Sequence, residues 1–388
     1  MGDDRWRAGA GRFGHGHDPA RKPMMAGSFR YVTPIPARLA TGRTAQVYAQ
    51  LAEDFGMARM AVFLTLSPAE EVLAATWVTL RESLLAGAAP RTGKEVVALG
   101  VSLANQCTFC VAAHTTLLHA TGDHRLGESI ARGEVPADPG HAALLAWARS
   151  PGTARPYPNA LAPEYVGTAL SFHFINRIAS ALLTENLMPG NLQRFRLVRS
   201  VGGRAMAGPV RRAAAPGAGL SLIAGLPARA EPGWADGAPA GTAYATLKAV
   251  AEAGGDLLGG PARAAVTRAV AGWDGAHPPM GTAWLDEPLA GLPADDRAGA
   301  RLVLLTALAP YRVTDADVAA WRGGARTDED LVRLCAFGAI LATAHVEARI
   351  TAAGRPGAGD AGGGGAGERA VRSGVGGVQA ETIQGERS

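Results

Sequence analysis

Apolar residues recur at steps of three and four along most of the chain, and no convincing stretch alternates apolar with polar residues. Val96, Leu99, Gly100, Leu103 and Cys107 form one such series; Leu331, Leu334, Cys335, Gly338, Leu341 and His345 form another. A helix turns once per about 3.6 residues, so these steps gather side chains on one stripe, whereas a half-buried strand demands a period of two. The pattern predicts an all-α protein whose helices are joined by Pro-, Gly- and Asp-bearing turns such as EVPADPG at 134–140.

Several segments break this periodicity and set expected boundaries. Residues 1–28 are rich in Gly, Arg and His without a repeat, and residues 353–388 contain GAGDAGGGGAGE, so both ends are expected to be disordered. Between them lie two helical portions, 29–200 and 241–352, separated by a Gly/Pro-rich stretch, 201–240, that reads as a linker. Sliding the chain by 206 to 207 positions lays WVTLRESLLAGAAPRTGKEVVALGVSLANQ (77–106) over WLDEPLAGLPADDRAGARLVLLTALAPYR (284–312) with one gap, so the second portion is expected to be a degenerate copy of the first. In that copy Glu95 faces Arg301, Cys107 faces Val313, Cys110 faces Ala316 and His114 faces Ala320. Chemistry is therefore expected in the first portion alone.

Charge narrows the functional classes. The 38 basic and 34 acidic residues leave a net charge of +4 spread along the chain, with no Lys/Arg run of the kind that binds nucleic acid. The charge-free stretch Ala213–Ala228 is shorter than a bilayer span of about 20 residues and is broken by Pro and Gly, so no membrane partner is expected. Residues 1–30 lack the apolar core of a signal peptide and the chain has three cysteines, which points to the cytoplasm. In a compartment that keeps thiols reduced, a C-x2-C pair is more often catalytic or metal-binding than structural.

That pair stands in NQCTFCVAAH, residues 105–114. On one helix Cys107, Cys110 and His114 share a face, so two thiols can close a disulfide and an imidazole one turn below can accept a proton from Cys110. Asn105 and Gln106 suit the turn entering this helix, which would put Cys107 in its first turn, where the helix dipole favours a thiolate. Glu95 lies twelve residues before Cys107, about 18 Å away along a straight helix, so it reaches His114 only if the chain turns back near Leu103–Gln106. Spacing alone favours an exposed Glu95 in TGKE, a capping-box-like helix start. A zinc site on Cys107, Cys110 and His114, with Glu95 or water as fourth ligand, lacks the second ligand pair such sites use. Cys335 and His345 sit on an apolar stripe and read as core residues. In SFHFINRIAS (171–180), Arg177 could attract an anionic group, but a helix carrying His173, Asn176 and Arg177 at its exposed edge is the simpler expectation.

The stretch KEVVALGVSLANQCTFCVAAHTTLLHATG closely resembles the signature of the alkyl hydroperoxidase D and carboxymuconolactone decarboxylase family, and the preceding LSPAEEVLAATWVTLRESLLAG is similar to that family's upstream helices. The resemblance covers 45–150 well and 240–350 only as the decayed repeat. It implies an all-helical fold, assembly into homo-oligomers and antioxidant reduction of hydroperoxides without a cofactor or metal. It further implies that Cys110 is the peroxide-attacking thiolate, Cys107 the resolving thiol, and His114 with Glu95 the proton relay, with a lipoyl or thioredoxin-like dithiol as reductant. Alkyl hydroperoxidase D has a second His between its cysteines, where this chain has Phe109. Two other readings stay open: a decarboxylase like other family members, whose lack of paired thiols sets them apart, and a non-enzymatic helical assembly that senses oxidation through its disulfide.

Overall fold

The computed structural model describes residues 28–56, 60–185 and 195–354; the expected disorder of 1–28 and 353–388 falls, but for their inner ends, outside the described residues. The described chain is all-α, without a single β-strand. Its helices are α1 (Gly42–Phe55), α2 (Ala61–Leu66), α3 (Glu70–Leu80), α4 (Arg91–Ala104), α5 (Thr108–Thr121), α6 (His124–Ala131), α7 (Pro139–Arg149) and α8 (Ala162–Leu182). They continue as α9 (Arg196–Val210), α10 (Pro239–Glu252), α11 (Gly260–Ala271), α12 (Asp286–Leu289), α13 (Ala294–Leu308), α14 (Asp315–Arg322) and α15 (Asp328–Ala353).

Local chemistry explains where many of these begin and end. Thr314 and Thr327 open α14 and α15 as full capping boxes, each hydroxyl accepting the backbone N–H of an Asp whose carboxylate returns to the Thr N–H. Pro139 and Pro163 stand in the first turns of α7 and α8, where the missing N–H costs nothing. Gly122 closes α5 at φ 108°, a left-handed conformation that a side chain would resist.

Two long helices hold the centre. Every residue of α8 except Ser180 is buried, and α15 packs along it. In a helix covered on all sides a buried polar residue is costly unless it finds a partner. Glu164 does so by binding Lys94 Nζ at 2.9 Å and the backbone N–H groups of Ala88 and Ala89 at 2.7 and 2.9 Å. Around this pair, α4 lies between α5, α7 and α8, while α3 packs on α10 and α13 on α15. One hydrophobic core runs continuously through both helical portions.

Residues 201–240, expected as a linker, are folded onto the first portion. The second part of α9 falls within this stretch, and α9 covers α5 so closely that a Cβ on Gly203 would meet the His119 Cβ at 2.6 Å. Farther on, the N–H groups of Gly217 and Gly219 donate to the buried Glu82 carboxylate at 2.6 and 2.9 Å.

The aligned pairs α4–α5 and α13–α14 are both helix–turn–helix units. Arg301, aligned with Glu95, likewise reaches the following helix, where its Nε donates to Asp317 Oδ1 at 2.6 Å.

Candidate active site

The series Val96, Leu99, Gly100, Leu103, Cys107 does not lie on one helix, because α4 stops at Ala104. Asn105 caps it, and Gln106 then adopts φ 54°, the left-handed conformation usually given to glycine. Two hydrogen bonds close this reversal: Gln106 N–H to Leu103 O at 3.1 Å and Cys107 N–H to Ser102 O at 3.0 Å. Together they form the Schellman arrangement that satisfies the last carbonyls of a helix while turning the chain sharply. A residue with a side chain held there costs about 1–2 kcal/mol relative to right-handed backbone.

Cys107 is the N-cap of α5 rather than a member of its first turn, and its Sγ accepts the Cys110 backbone N–H at 3.3 Å. The first-turn cysteine is Cys110, so the positive end of the helix dipole favours an anion on that sulfur. Cys107 and Cys110 are disulfide-bonded, with Cα atoms 5.3 Å apart, inside the usual range for such a bridge. Both are buried.

The turn at Asn105–Gln106 lays α5 back against α4, bringing together residues nineteen apart in sequence: Glu95 Oε2 and His114 Nδ1 lie 2.7 Å apart. Glu95 is wholly buried, so the expectation of an exposed capping residue in TGKE is overturned; Pro90 stands at the N-cap of α4, which has no side-chain cap. Its other oxygen accepts Arg91 Nε at 2.8 Å, one turn earlier on the same helix. Burial alone would raise the Glu95 pKa, but the Arg91 charge and the His114 hydrogen bond outweigh it and hold the carboxyl below its ordinary value. Glu95 is therefore a carboxylate at neutral pH and can only accept. It follows that Nδ1 of His114 carries the proton and Nε2 is the basic nitrogen. Phe172 from α8 meets the imidazole edge to face, with ring centres 4.3 Å apart, and fixes its plane.

A cavity of about 300 Å³ opens on the disulfide, walled by Gln106, Cys107, Thr108 and Phe109 on one side and by the end of α8 on the other. Arg30 and Tyr311 complete it. Sequence spacing gave no sign of these last two, which come from segments far from the motif. Phe109, at the position of the family's second His, is a buried apolar wall of this cavity. Of the two cysteines, Cys107 lines the cavity and Cys110 does not.

Cys335 lies on α15 with its thiol in the core, near the Thr306 hydroxyl at 3.7 Å, and burial pushes its pKa up to about 12, so it stays a thiol. Among the described residues no three His, Cys, Asp or Glu side chains converge as a metal-ligand set. The helix 171–180 departs from expectation: His173, Asn176 and Arg177 are buried instead of lining an exposed edge.

The model of the carboxymuconolactone decarboxylase family matches residues 71–149, a span from α3 to α7 that contains the whole Glu95–His114–disulfide arrangement. The chain is also similar to the alkyl hydroperoxide reductase Rv2159c of Mycobacterium tuberculosis (strain ATCC 25618 / H37Rv), with 39% identity over 330 residues, 83% of this chain and 95% of the relative. No solved structure matches significantly. Since the similarity runs through almost the full length of that relative and the family signature covers the site, the chain belongs to the carboxymuconolactone decarboxylase family.

Proposed function

We propose that the protein is a dithiol peroxidase that reduces hydroperoxides to alcohols through a Cys107–Cys110 dithiol/disulfide cycle. The observation that carries this reading is the buried Glu95–His114 pair standing one helical turn below a disulfide whose second sulfur lies in the first turn of α5. The similarity to a protein named alkyl hydroperoxide reductase supports it.

In the reduced enzyme, His114 Nε2 takes the Cys110 proton, and the helix dipole stabilises the thiolate. The thiolate attacks the terminal oxygen of the hydroperoxide; the O–O bond breaks, Cys110 becomes a sulfenic acid, and the departing alkoxide takes a proton from the His114 imidazolium to leave as alcohol. The Cys107 thiol then attacks the sulfenic sulfur, forming the disulfide and releasing water. An ionised Glu95 stabilises the transient imidazolium and, by accepting from Nδ1, leaves Nε2 as the nitrogen that exchanges the proton.

Regeneration requires an external dithiol, for which we propose a lipoyl-type or thioredoxin-like donor. A thiol of the donor reaches into the 300 Å³ cavity and attacks the sulfur of Cys107, the cysteine that lines it. Cys110 leaves as the thiolate, and the better-stabilised thiolate is the faster leaving group. The same asymmetry that makes Cys110 the nucleophile thus makes it the leaving group.

Rapid mixing of the reduced protein with hydrogen peroxide and with a bulky organic hydroperoxide, followed by mass mapping of the oxidised cysteines, tests the cycle. Sulfenic acid trapped on Cys110 in the Cys107→Ser variant is the expected result. Oxidation confined to Cys107, or no faster than that of free cysteine, would reject it. A redox sensor would oxidise once and show no sustained peroxide consumption with excess dithiol.

A further inference from the structure

Against Ala104 and Asn105, at the end of α4, lies a second cavity, about 340 Å³, walled also by the end of α7, by His173 and Arg177 of α8, by α15 and by the loop 273–277. Its charge is one-sided. Arg177 forms part of its wall and is buried, 3% exposed. Its Nε donates to the Ala307 carbonyl at 2.7 Å and one Nη to the His173 carbonyl at 2.6 Å, while its guanidinium lies over the Trp273 ring at 5.7 Å. Among the described residues no carboxylate stands within ion-pair distance of it. Burial lowers its pKa to about 10, which still leaves it charged at neutral pH.

A buried cation bonded only to neutral acceptors is costly, and proteins ordinarily supply a counter-charge. Here two more arginines stand at the rim, Arg149 at the end of α7 and Arg349 on α15, both exposed. Arg349 gives one Nη to the Asp274 carbonyl at 3.0 Å. Asp274 is the one carboxylate on the wall, and its Oδ1 already accepts the Ala276 N–H at 2.8 Å. Three guanidinium groups thus face one carboxylate around a space the size of a small-molecule pocket. Planar guanidinium forks match the oxygens of carboxylates and phosphates.

We propose that this cavity is a binding site for a small oxyanion, a carboxylate or phosphate group, which supplies the counter-charge that Arg177 lacks. The site is separate from the disulfide, yet it touches the redox turn: Asn105 Nδ2 lies 3.3 Å from His173 Nδ1, on the residue two positions before Cys107. The proposal does not rest on the peroxidase reading, since it concerns binding alone.

Thermal unfolding of the full chain, titrated with inorganic phosphate, with succinate and with sodium chloride at matched ionic strength, tests it. A saturable rise in melting temperature with phosphate or succinate, absent with chloride, is expected. A response to phosphate alone identifies a phosphate-bearing ligand, and to succinate alone a carboxylate. The Arg149→Ala/Arg349→Ala double variant, altered only at exposed side chains, should weaken the apparent affinity by about tenfold or more. Arg177→Met should abolish the shift and, in anion-free buffer, melt no lower than the parent. If that variant fails to fold, the double variant decides. No saturable shift beyond chloride, or an undiminished affinity in the double variant, overturns the proposal.

Discussion

Replacing Glu95 by Gln keeps the size of the side chain and removes its charge, and the consequences can be worked from its two partners, His114 and Arg91. One amide oxygen can still accept from His114 Nδ1, but the NH2 group then faces Arg91 Nε, donor against donor. The change breaks a buried ion pair, for which losses of about 3–5 kcal/mol are typical, reduced here because the Arg91 side chain reaches solvent at 16% exposure. A destabilisation of about 2–4 kcal/mol at pH 7 is expected from urea unfolding. The pH dependence has a definite sign. Glu95 has a folded pKa below its unfolded one, so its stabilisation is complete above the unfolded pKa, about 4.3, and is lost as pH falls through the lower folded value. The gap between parent and variant should therefore narrow as the pH is taken from 6 to about 3. The same substitution removes the charge that stabilises the His114 imidazolium, and oxidation of Cys110 by hydroperoxide should slow by about 100-fold, the lower end of general acid–base contributions. Loss of stability with an unchanged oxidation rate per folded molecule would make Glu95 purely structural. A parent-like value of both would refute the geometric argument altogether.

Further expectations concern single positions. Cys110→Ser should abolish peroxide turnover, while Cys107→Ser should permit one oxidation per molecule and then stall; equal multiple turnover in the two variants would reject the assigned roles. Gln106→Gly should stabilise the protein, or leave it unchanged, by up to about 1 kcal/mol, because the relief of left-handed strain exceeds the added entropy of the unfolded chain; a loss above that in denaturant titration would mean the Gln side chain is needed. Gly203→Ala should destabilise by about 1–3 kcal/mol, since its Cβ would stand 2.6 Å from the His119 Cβ and must push α9 off α5. A melting temperature equal to the parent would show that α9 shifts freely.

Sequence periodicity determined a good deal of this molecule. The three- and four-residue steps specify helices because they are a local property, and α4 and α15 stand where those steps run, except that the first series breaks off at Ala104. The spacing within C-x2-C-x3-H sets Cys110 and His114 one turn apart on α5 for the same reason, and the family follows from the motif. Tertiary structure decided the rest. Whether Glu95 faced solvent or His114 depended on one left-handed residue, Gln106, whose side chain carries no glycine signal. The fate of 201–240 depended on partners such as Glu82, more than 130 residues away in sequence. Arg177 looked like the polar edge of an exposed helix and proved to be an unpaired charge inside, because α8 is covered by α15, a neighbour no spacing within α8 could announce. Local patterns fix which way a side chain points around its own axis; only packing fixes what stands opposite.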